Sequence, residues 1–154
     1  QRKQFVALLE EGIGLVSMHH NLGAHRSWDK YTEITGGKFV FKPQKIDGQQ
    51  VPKSTWAHGE TLDIHVAEPD HPITRGVEDF SIHDETYGDF YTSPEVTVLL
   101  TTDNPKNDPE IAWTTSYGNG RVFYFMLGHD GHAFENPNYR KLLKQGIVWA
   151  AGRE

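Results

Sequence analysis

The sequence predicts an α/β fold, a three-layer sandwich in which helices cover both faces of a mixed β-sheet. Three observations favour it: a helical segment that leads directly into an apolar strand, a two-strand hairpin in the last third of the chain, and an amphipathic helix at its end. Helices alternating with strands are typical of parallel pairing, whereas a hairpin adds an antiparallel pair. The length of 154 residues fits one domain.

The first segment is predicted to be a helix over residues 1–11, followed by a buried strand. Phe5, Leu8 and Leu9 recur at helical spacing, and Gly12 ends the helix. Residues 13–18 then run apolar with one small serine, as in a strand buried on both faces. Such a strand needs two neighbours, so we expect either further N-terminal strands that these residues lack or a partner subunit of a homo-oligomer.

The middle of the chain is predicted to contain a short helix, a surface loop and a strand. Trp28, Tyr31 and Ile34 share a helical face before Gly36-Gly37. Residues 42–59 contain proline and glycine but few apolar side chains, which favours an excursion loop. Residues 62–66 alternate between apolar and polar, which predicts an edge or near-edge strand.

The last third is predicted to add three strands and a helix. Residues 96–100 form one strand, and residues 111–116 and 121–127 form a hairpin. The Asn119-Gly120 pair between them favours the positive dihedral angles of a tight turn. From Pro137 onward, apolar residues at helical spacing predict a C-terminal helix with a basic outer face.

Charge and composition exclude several classes of partner. The net charge is -6 and no basic run occurs, so nucleic acid is not expected. No apolar stretch approaches the roughly 20 residues that cross a bilayer, so we expect no membrane partner and a soluble protein of the cytoplasm or periplasm. No cysteine is present, which excludes a thiolate nucleophile or ligand. The glycines at 118–120 precede a strand rather than a helix, so no nucleotide cofactor is expected.

The candidate site consists of His19, Glu85 and His129. Each follows or adjoins the predicted end of a strand, so we expect the three side chains to share one pocket at the carboxyl edge of the sheet. Two imidazoles and a carboxylate with an open position form a ligand set for zinc or a similar divalent metal. Because no local signature such as His-Glu-x-x-His occurs, the metal hypothesis depends on the fold bringing three segments together.

Further residues near these segments complete the predicted site. Asp130 is a candidate catalytic residue that, like His132, would carry a proton or orient a neighbour. Residues proposed to contact substrate are His20, Trp28, Asp84, Tyr87 and His132, the aromatics by stacking on a sugar, as Tyr91 also could. The alternative interpretation is structural: the histidines bond turn carbonyls, Asp84 caps a turn, and the aromatics belong to the core. His65, His71 and His83 are expected to be structural or exposed.

An ordered set of short motifs carries a family resemblance. They lie at residues 14–19, 36–37, 71–76, 84–87, 120–122, 127–130 and 146–150, with Trp28 and Tyr31 between the first two. In this order they resemble the ThuA-like (trehalose utilisation) family. The resemblance implies a class I glutamine amidotransferase-like, flavodoxin-like fold, with residues 1–154 forming about the C-terminal two-thirds of the domain, and a role in sugar metabolism. It departs at Lys42-Pro43, where His-Pro is frequent in the family, although His58 could fill that role.

Amidotransferase and serine hydrolase chemistry are both excluded. Where amidotransferase relatives present a cysteine, this chain has His19 and His20, so it is not a glutamine amidotransferase. Ser17 lies inside the predicted strand, and no Gly-x-Ser-x-Gly elbow occurs.

Two hypotheses of different class remain. The first is an enzyme of carbohydrate metabolism, a metal-assisted hydrolase, lyase or isomerase acting on a sugar or keto-sugar. The second is a non-catalytic module that binds a sugar or a partner protein.

Overall fold

The computed structural model describes residues 1–153 and has the mixed α/β architecture that the sequence predicts. The helices are α1 (Arg2–Glu10), α2 (Asp29–Thr35), α3 (Gly131–Glu135) and α4 (Pro137–Ala150), with a 3-10 helix at His19–Gly23. The strands are β1 (Leu15–Met18), β2 (Gly37–Lys38), β3 (Gln44–Ile46), β4 (Gln49–Val51), β5 (Thr55–Val66), β6 (Phe80–Gly88), β7 (Tyr91–Thr92), β8 (Thr97–Thr102), β9 (Glu110–Tyr117) and β10 (Gly120–Phe125). None of the described helices is long and apolar enough to cross a membrane.

Six strands form one mixed sheet in the order β1-β10-β9-β8-β5-β6. β1 pairs with β10 in parallel, and every other pair in this sheet is antiparallel. Within the described part of the chain, β1 therefore has one neighbour rather than the expected two. Its residues Leu15, Val16 and Met18 are only partly buried, because β1 lies at an edge of the sheet.

Helices cover both faces of this sheet, and alternate residues of β10 show which helix covers which face. Val122 packs with Leu9 of α1 and Ile34 of α2. Phe123 points the other way, toward α4, where a side chain on Gly146 would come within 2.3 Å of its ring. Glycine at this position lets α4 approach the sheet closely. The three-layer sandwich is thus confirmed.

Two local predictions differ from the structure. The predicted loop over residues 42–59 contains the β3–β4 hairpin and the start of β5. Paired edges satisfy the backbone groups that a long open loop would leave to water, which explains why the segment adopts strands. In the β9–β10 hairpin the turn residues are Gly118 and Asn119, and the positive φ of +58° belongs to Gly118. The turn therefore depends on Gly-Asn rather than Asn-Gly.

The strand expected to end near Glu85 had no predicted bounds; it is the long strand β6, which pairs with β5 through an irregularity that shapes the site. Ala57 is opposite Thr86 and Glu60 is opposite Asp84, so two residues of β5, His58 and Gly59, oppose the single Glu85. This is a β-bulge, and Gly59 adopts a φ of +70° within it. Bulges turn side chains away from the regular alternation of a strand, and this one places His58 beside Glu85.

Candidate metal and proton-transfer site

His19 is held in one orientation by the end of the sheet. It follows β1 with a φ of +46°, a conformation that non-glycine residues seldom adopt, and Tyr124 donates a hydrogen bond of 2.8 Å to its carbonyl. Its Nδ1 lies 2.8 Å from the carbonyl oxygen of Met126. Because a carbonyl only accepts, Nδ1 carries a proton, and in the neutral ring Nε2 presents its lone pair to the site.

Glu85 is the centre of the site. The residue is only 6% exposed, yet three imidazoles surround its carboxylate. Oε2 lies 3.2 Å from Nε2 of His19 and 3.5 Å from Nδ1 of His129, and Oε1 lies 3.0 Å from Nδ1 of His58. A buried carboxylate requires compensation by positive charge or by hydrogen-bond donors, so this group needs a proton, a cation or donors from its neighbours.

Tyr87 adds a neutral donor to the same carboxylate. Its hydroxyl donates a hydrogen bond of 2.7 Å to Oε2 of Glu85 and lies 3.1 Å from Nε2 of His19. Burial and the adjacent Glu85 raise the pKa of Tyr87 far above its ordinary value, so the hydroxyl keeps its proton across the physiological range. Tyr87 is only 1% exposed, which favours a role in orienting Glu85 over the predicted stacking on a sugar.

Asp84, the residue before Glu85, organises the backbone around the site. It is 2% exposed and accepts hydrogen bonds from three backbone N–H groups, those of Glu85, Gly128 and His129 at 2.8, 2.7 and 3.0 Å. These bonds connect the segment after β10 to β6. Asp84 therefore positions His129 rather than contacting solvent or substrate directly.

The donor set fits a divalent cation. One ligand atom from each of His19, Glu85 and His129 lies within 4.8 Å of the others. In a tetrahedral zinc site, adjacent ligand atoms are about 3.4 Å apart, and the Glu85 oxygen lies 3.2 and 3.5 Å from the two imidazole nitrogens. Nε2 of neutral His19 and the carboxylate oxygen are both acceptors, so a proton or a cation between them relieves their repulsion.

The family is established by a sequence profile described as trehalose utilisation, which matches residues 1–150. The chain belongs to the ThuA family. A ThuA-like protein from Parabacteroides merdae has 22% identity and a TM-score of 0.82, with 97% of this chain and 64% of that chain covered. One from Bacteroides uniformis has 23% identity and a TM-score of 0.73, with 97% and 62% covered. The chain thus spans less than two thirds of both.

The same fold also occurs as part of a much longer protein. A β-galactosidase from Bacillus circulans has 12% identity and a TM-score of 0.57, with 97% of this chain and 20% of that chain covered. No curated protein sequence matches the chain. At these identities the solved structures show the ThuA-type fold and nothing about substrate.

The structure brings together the three residues predicted as the centre of the site, with one correction to the reasoning. His19 follows β1 and His129 follows β10, as expected, but Glu85 lies inside β6 rather than at a strand end. His20 lies at the margin, with Nδ1 3.5 Å from the Tyr87 hydroxyl. The pairing of Glu85 with the two histidines is therefore decided by strand register, not by strand termini.

Other predicted residues lie outside this group. Asp130 caps α3 by accepting from the N–H of His132, and the hydrogen bond from the His132 ring lowers the pKa of Asp130. Trp28 packs on Phe5 and Tyr31 at the α1–α2 side of the sheet, and Tyr91 donates a hydrogen bond of 2.5 Å to Asp47. The described contacts of these residues include no member of the His19, Glu85 and His129 group.

His58 is the functional candidate that the sequence left unassigned. Its side chain is 54% exposed, and its ring lies 4.7 Å from that of His129. The sequence contains a usable signal: if the strand predicted over residues 62–66 is extended back to Trp56, Gly59 becomes an isolated glycine inside it, which indicates a bulge. β6 could also have been found from Phe80 and Ile82, which alternate with polar residues ahead of Asp84.

A second histidine–carboxylate cluster lies on the surface. Nδ1 of His65 is 3.0 Å from Asp79, and Nε2 is 3.9 Å from Asp103. All three side chains are well exposed, at 46%, 62% and 84% respectively. This confirms the expectation that His65 is exposed.

A cleft away from the candidate site lacks its histidines. It measures about 820 Å³ and lies between α2 and the β3–β4 hairpin, with Lys38 and Tyr91 among its walls. Its charged groups are of mixed sign, and no cluster of histidines lines it. Three imidazoles and a carboxylate converge at Glu85, so we place the candidate site there rather than in this cleft.

Proposed function

We propose that this chain carries the active site of a carbohydrate-metabolism enzyme that acts on a sugar or keto-sugar. The observation that carries the proposal is the buried Glu85 carboxylate shared by His19, His58 and His129. A structural histidine needs one partner, whereas three imidazoles converging on one nearly buried carboxylate form a site for a proton or a cation. The sugar class comes from membership of the trehalose utilisation family.

The proposed site holds zinc or a similar divalent metal with His19, Glu85 and His129 as ligands. The Met126 carbonyl orients His19 so that Nε2 is free to bind, and Tyr87 fixes the Glu85 carboxylate, as partners of metal ligands commonly do. When bound, the metal would supply a Lewis acid that polarises a sugar carbonyl or hydroxyl.

His58 is proposed to move the proton. Its half-exposed ring can reach both solvent and a substrate at the site entrance, and Nδ1 lies 3.0 Å from Oε1 of Glu85, which is close enough to exchange a proton with it. This replaces the expected role of Asp130 or His132 as proton carrier, since those two side chains pair with each other on α3.

The test is metal binding by the purified chain, stripped with a chelator and dialysed against zinc. We expect stoichiometric zinc in the wild type and its loss in E85A. The matched control is D79A, because Asp79 is also a carboxylate paired with a histidine but lies on the surface. Turnover of a panel of disaccharides and keto-sugars should require zinc and decline in H58A. Equal zinc in E85A and wild type would refute the assignment.

A second candidate function has its own supporting observation. The β-galactosidase of Bacillus circulans contains this fold in about a fifth of its chain, so the fold also exists as one part of a larger protein. A scaffold without the amidotransferase cysteine could serve as a non-catalytic module that binds a sugar or a partner protein. Sugar binding by calorimetry, with no product formed from any sugar of the panel, would favour it.

A further inference from the structure

We propose that Trp56 is a stacking platform for a sugar ring at the entrance of the His19, Glu85 and His129 site. The inference rests on the proposed function and deepens it, since it names the side chain that selects a cyclic sugar. Trp56 lies on β5, two residues before His58, and its ring is 4.7 Å from the His58 ring. Trp56 is 58% exposed, which is unusual for so large an apolar side chain.

The register of the sheet directs Trp56 to the face of the site. Trp56 is paired directly with Tyr87, and directly paired residues of antiparallel strands project from the same face. The Tyr87 hydroxyl reaches Glu85 on that face. The ring of Trp56 therefore lies on the face of the sheet that carries Glu85, next to the His58 ring.

The distances between the rings allow one small molecule to contact both Trp56 and the His19, Glu85 and His129 group. The His58 ring stands 4.7 Å from the Trp56 ring and 4.7 Å from the His129 ring. Trp56 and His129 can therefore be no further apart than twice that distance. A molecule of the size of one sugar ring that rests on Trp56 can present a hydroxyl or carbonyl to the site.

The chemistry around Trp56 favours a sugar over a protein surface. One face of a pyranose ring exposes C–H groups that pack on an aromatic plane, while its hydroxyls need polar partners such as the adjacent imidazoles. A protein interface requires a contiguous apolar patch. The other strongly exposed apolar residues are Leu8, Ile13, Phe134, Ile147 and Val148. They lie on α1, α3, α4 or the turn before β1, whereas Trp56 lies on β5.

The experiment is calorimetric titration of the zinc-loaded chain with trehalose and with D-glucose, using acyclic mannitol as the ligand control. We expect W56A to weaken binding of the cyclic sugars about tenfold and W56F to retain most of it, because phenylalanine keeps an aromatic plane. I147A is the matched variant: it also removes an exposed apolar side chain, 51% exposed on α4, and should bind like the wild type.

The outcomes separate this inference from the proposed function. Wild-type affinity in W56A would overturn the platform while leaving the metal site intact. If the wild-type chain fails to bind zinc but binds the cyclic sugars in a way that depends on Trp56, the platform is supported and the metal site is overturned. Failure of the wild type to bind either cyclic sugar would overturn both the platform and the proposed substrate class. Zinc content should be equal in W56A, W56F and wild type, which also reports correct folding.

Discussion

Two histidine–carboxylate clusters in this molecule use the same chemical groups in opposite settings. At the candidate site, three imidazoles converge on Glu85, whose side chain is 7% exposed. On the surface, one imidazole, that of His65, lies between Asp79 and Asp103, whose side chains are 62% and 84% exposed. The first arrangement has one nearly dry carboxylate and three imidazoles, and the second has one imidazole and two solvated carboxylates.

The contrast between the two clusters shows which features distinguish a candidate functional site from a surface ion pair. Water and salt screen exposed charges, so a pair such as His65 with Asp79 contributes little and can be removed at low cost. A carboxylate withdrawn from water requires its partners, and the fold has to hold them in place. Tyr87 holds the Glu85 carboxylate through a hydrogen bond. Asp84 acts indirectly, because it holds His129 in place by accepting a hydrogen bond from the backbone N–H of that residue. Residue types alone would not separate the two clusters.

The largest expected effect is the loss of metal affinity when a histidine of the buried cluster is removed. H19A should weaken zinc binding by more than about 100-fold, because the loss of a direct ligand exceeds the 10–100-fold cost typical of outer partners. H65A, the matched change in the surface cluster, should have no effect. Isothermal titration with zinc measures both, with circular dichroism to confirm folding. A similar loss of zinc affinity in H19A and H65A would show that the buried and surface clusters do not differ in metal binding.

The next effect concerns stability. D84A removes the acceptor for three backbone N–H groups around a buried carboxylate, and we expect the free energy of unfolding to fall by about 3 kcal/mol. D79A, which removes an exposed acceptor for the N–H of Val66, should cost much less. Urea denaturation at pH 7 compares the two. If D79A destabilises the chain as much as D84A, burial is not what separates the clusters.

The third effect isolates the hydrogen bond that Tyr87 gives to Glu85. Y87F keeps the ring and its packing but removes the hydroxyl, so zinc affinity should fall about 10–100-fold with little change in stability. Y91F is the control, because Tyr91 also donates to a carboxylate, that of Asp47, outside the site. Unchanged zinc affinity in Y87F would show that Glu85 does not need the tyrosine to be oriented.

The smallest effect is the titration of the surface pair. The hydrogen bond to Asp79 raises the pKa of His65 above 6.5, and the same bond lowers the pKa of Asp79 below 3.8. The His65 contribution to stability is fully present below pH 6.5 and is lost as the pH rises through the raised pKa. The Asp79 contribution is present above pH 3.8 and is lost as the pH falls through the lowered pKa. The pair therefore stabilises the chain most between these values.

Proton NMR of the His65 ring provides the measurement. In the wild type its midpoint should lie above 6.5, and in D79N it should move down toward that value. The same midpoint in both proteins would show that the surface pair is not formed in solution.

Local sequence patterns were sufficient to predict the class of fold and most of its elements. Helical spacing found α1, α2 and α4, and Gly36, which has a φ of +72°, ends α2 as expected. Alternation and a turn signal found β5, β8 and the β9–β10 hairpin. These features depend on the spacing of apolar side chains and on the position of glycine, and both are local properties of the sequence.

Which chemical groups meet at the candidate site depends on the folded chain. His19 follows β1, Glu85 lies in β6 and His129 follows β10, so the distances between them depend on the order of strands in the sheet and on the β5–β6 register. The bulge at Gly59 adds His58, and the fold separates Asp130 and Trp28 from the group. A shift of one residue along β6 would turn Glu85 to the opposite face. The composition of the site therefore rests on long-range pairing, which the local sequence does not specify.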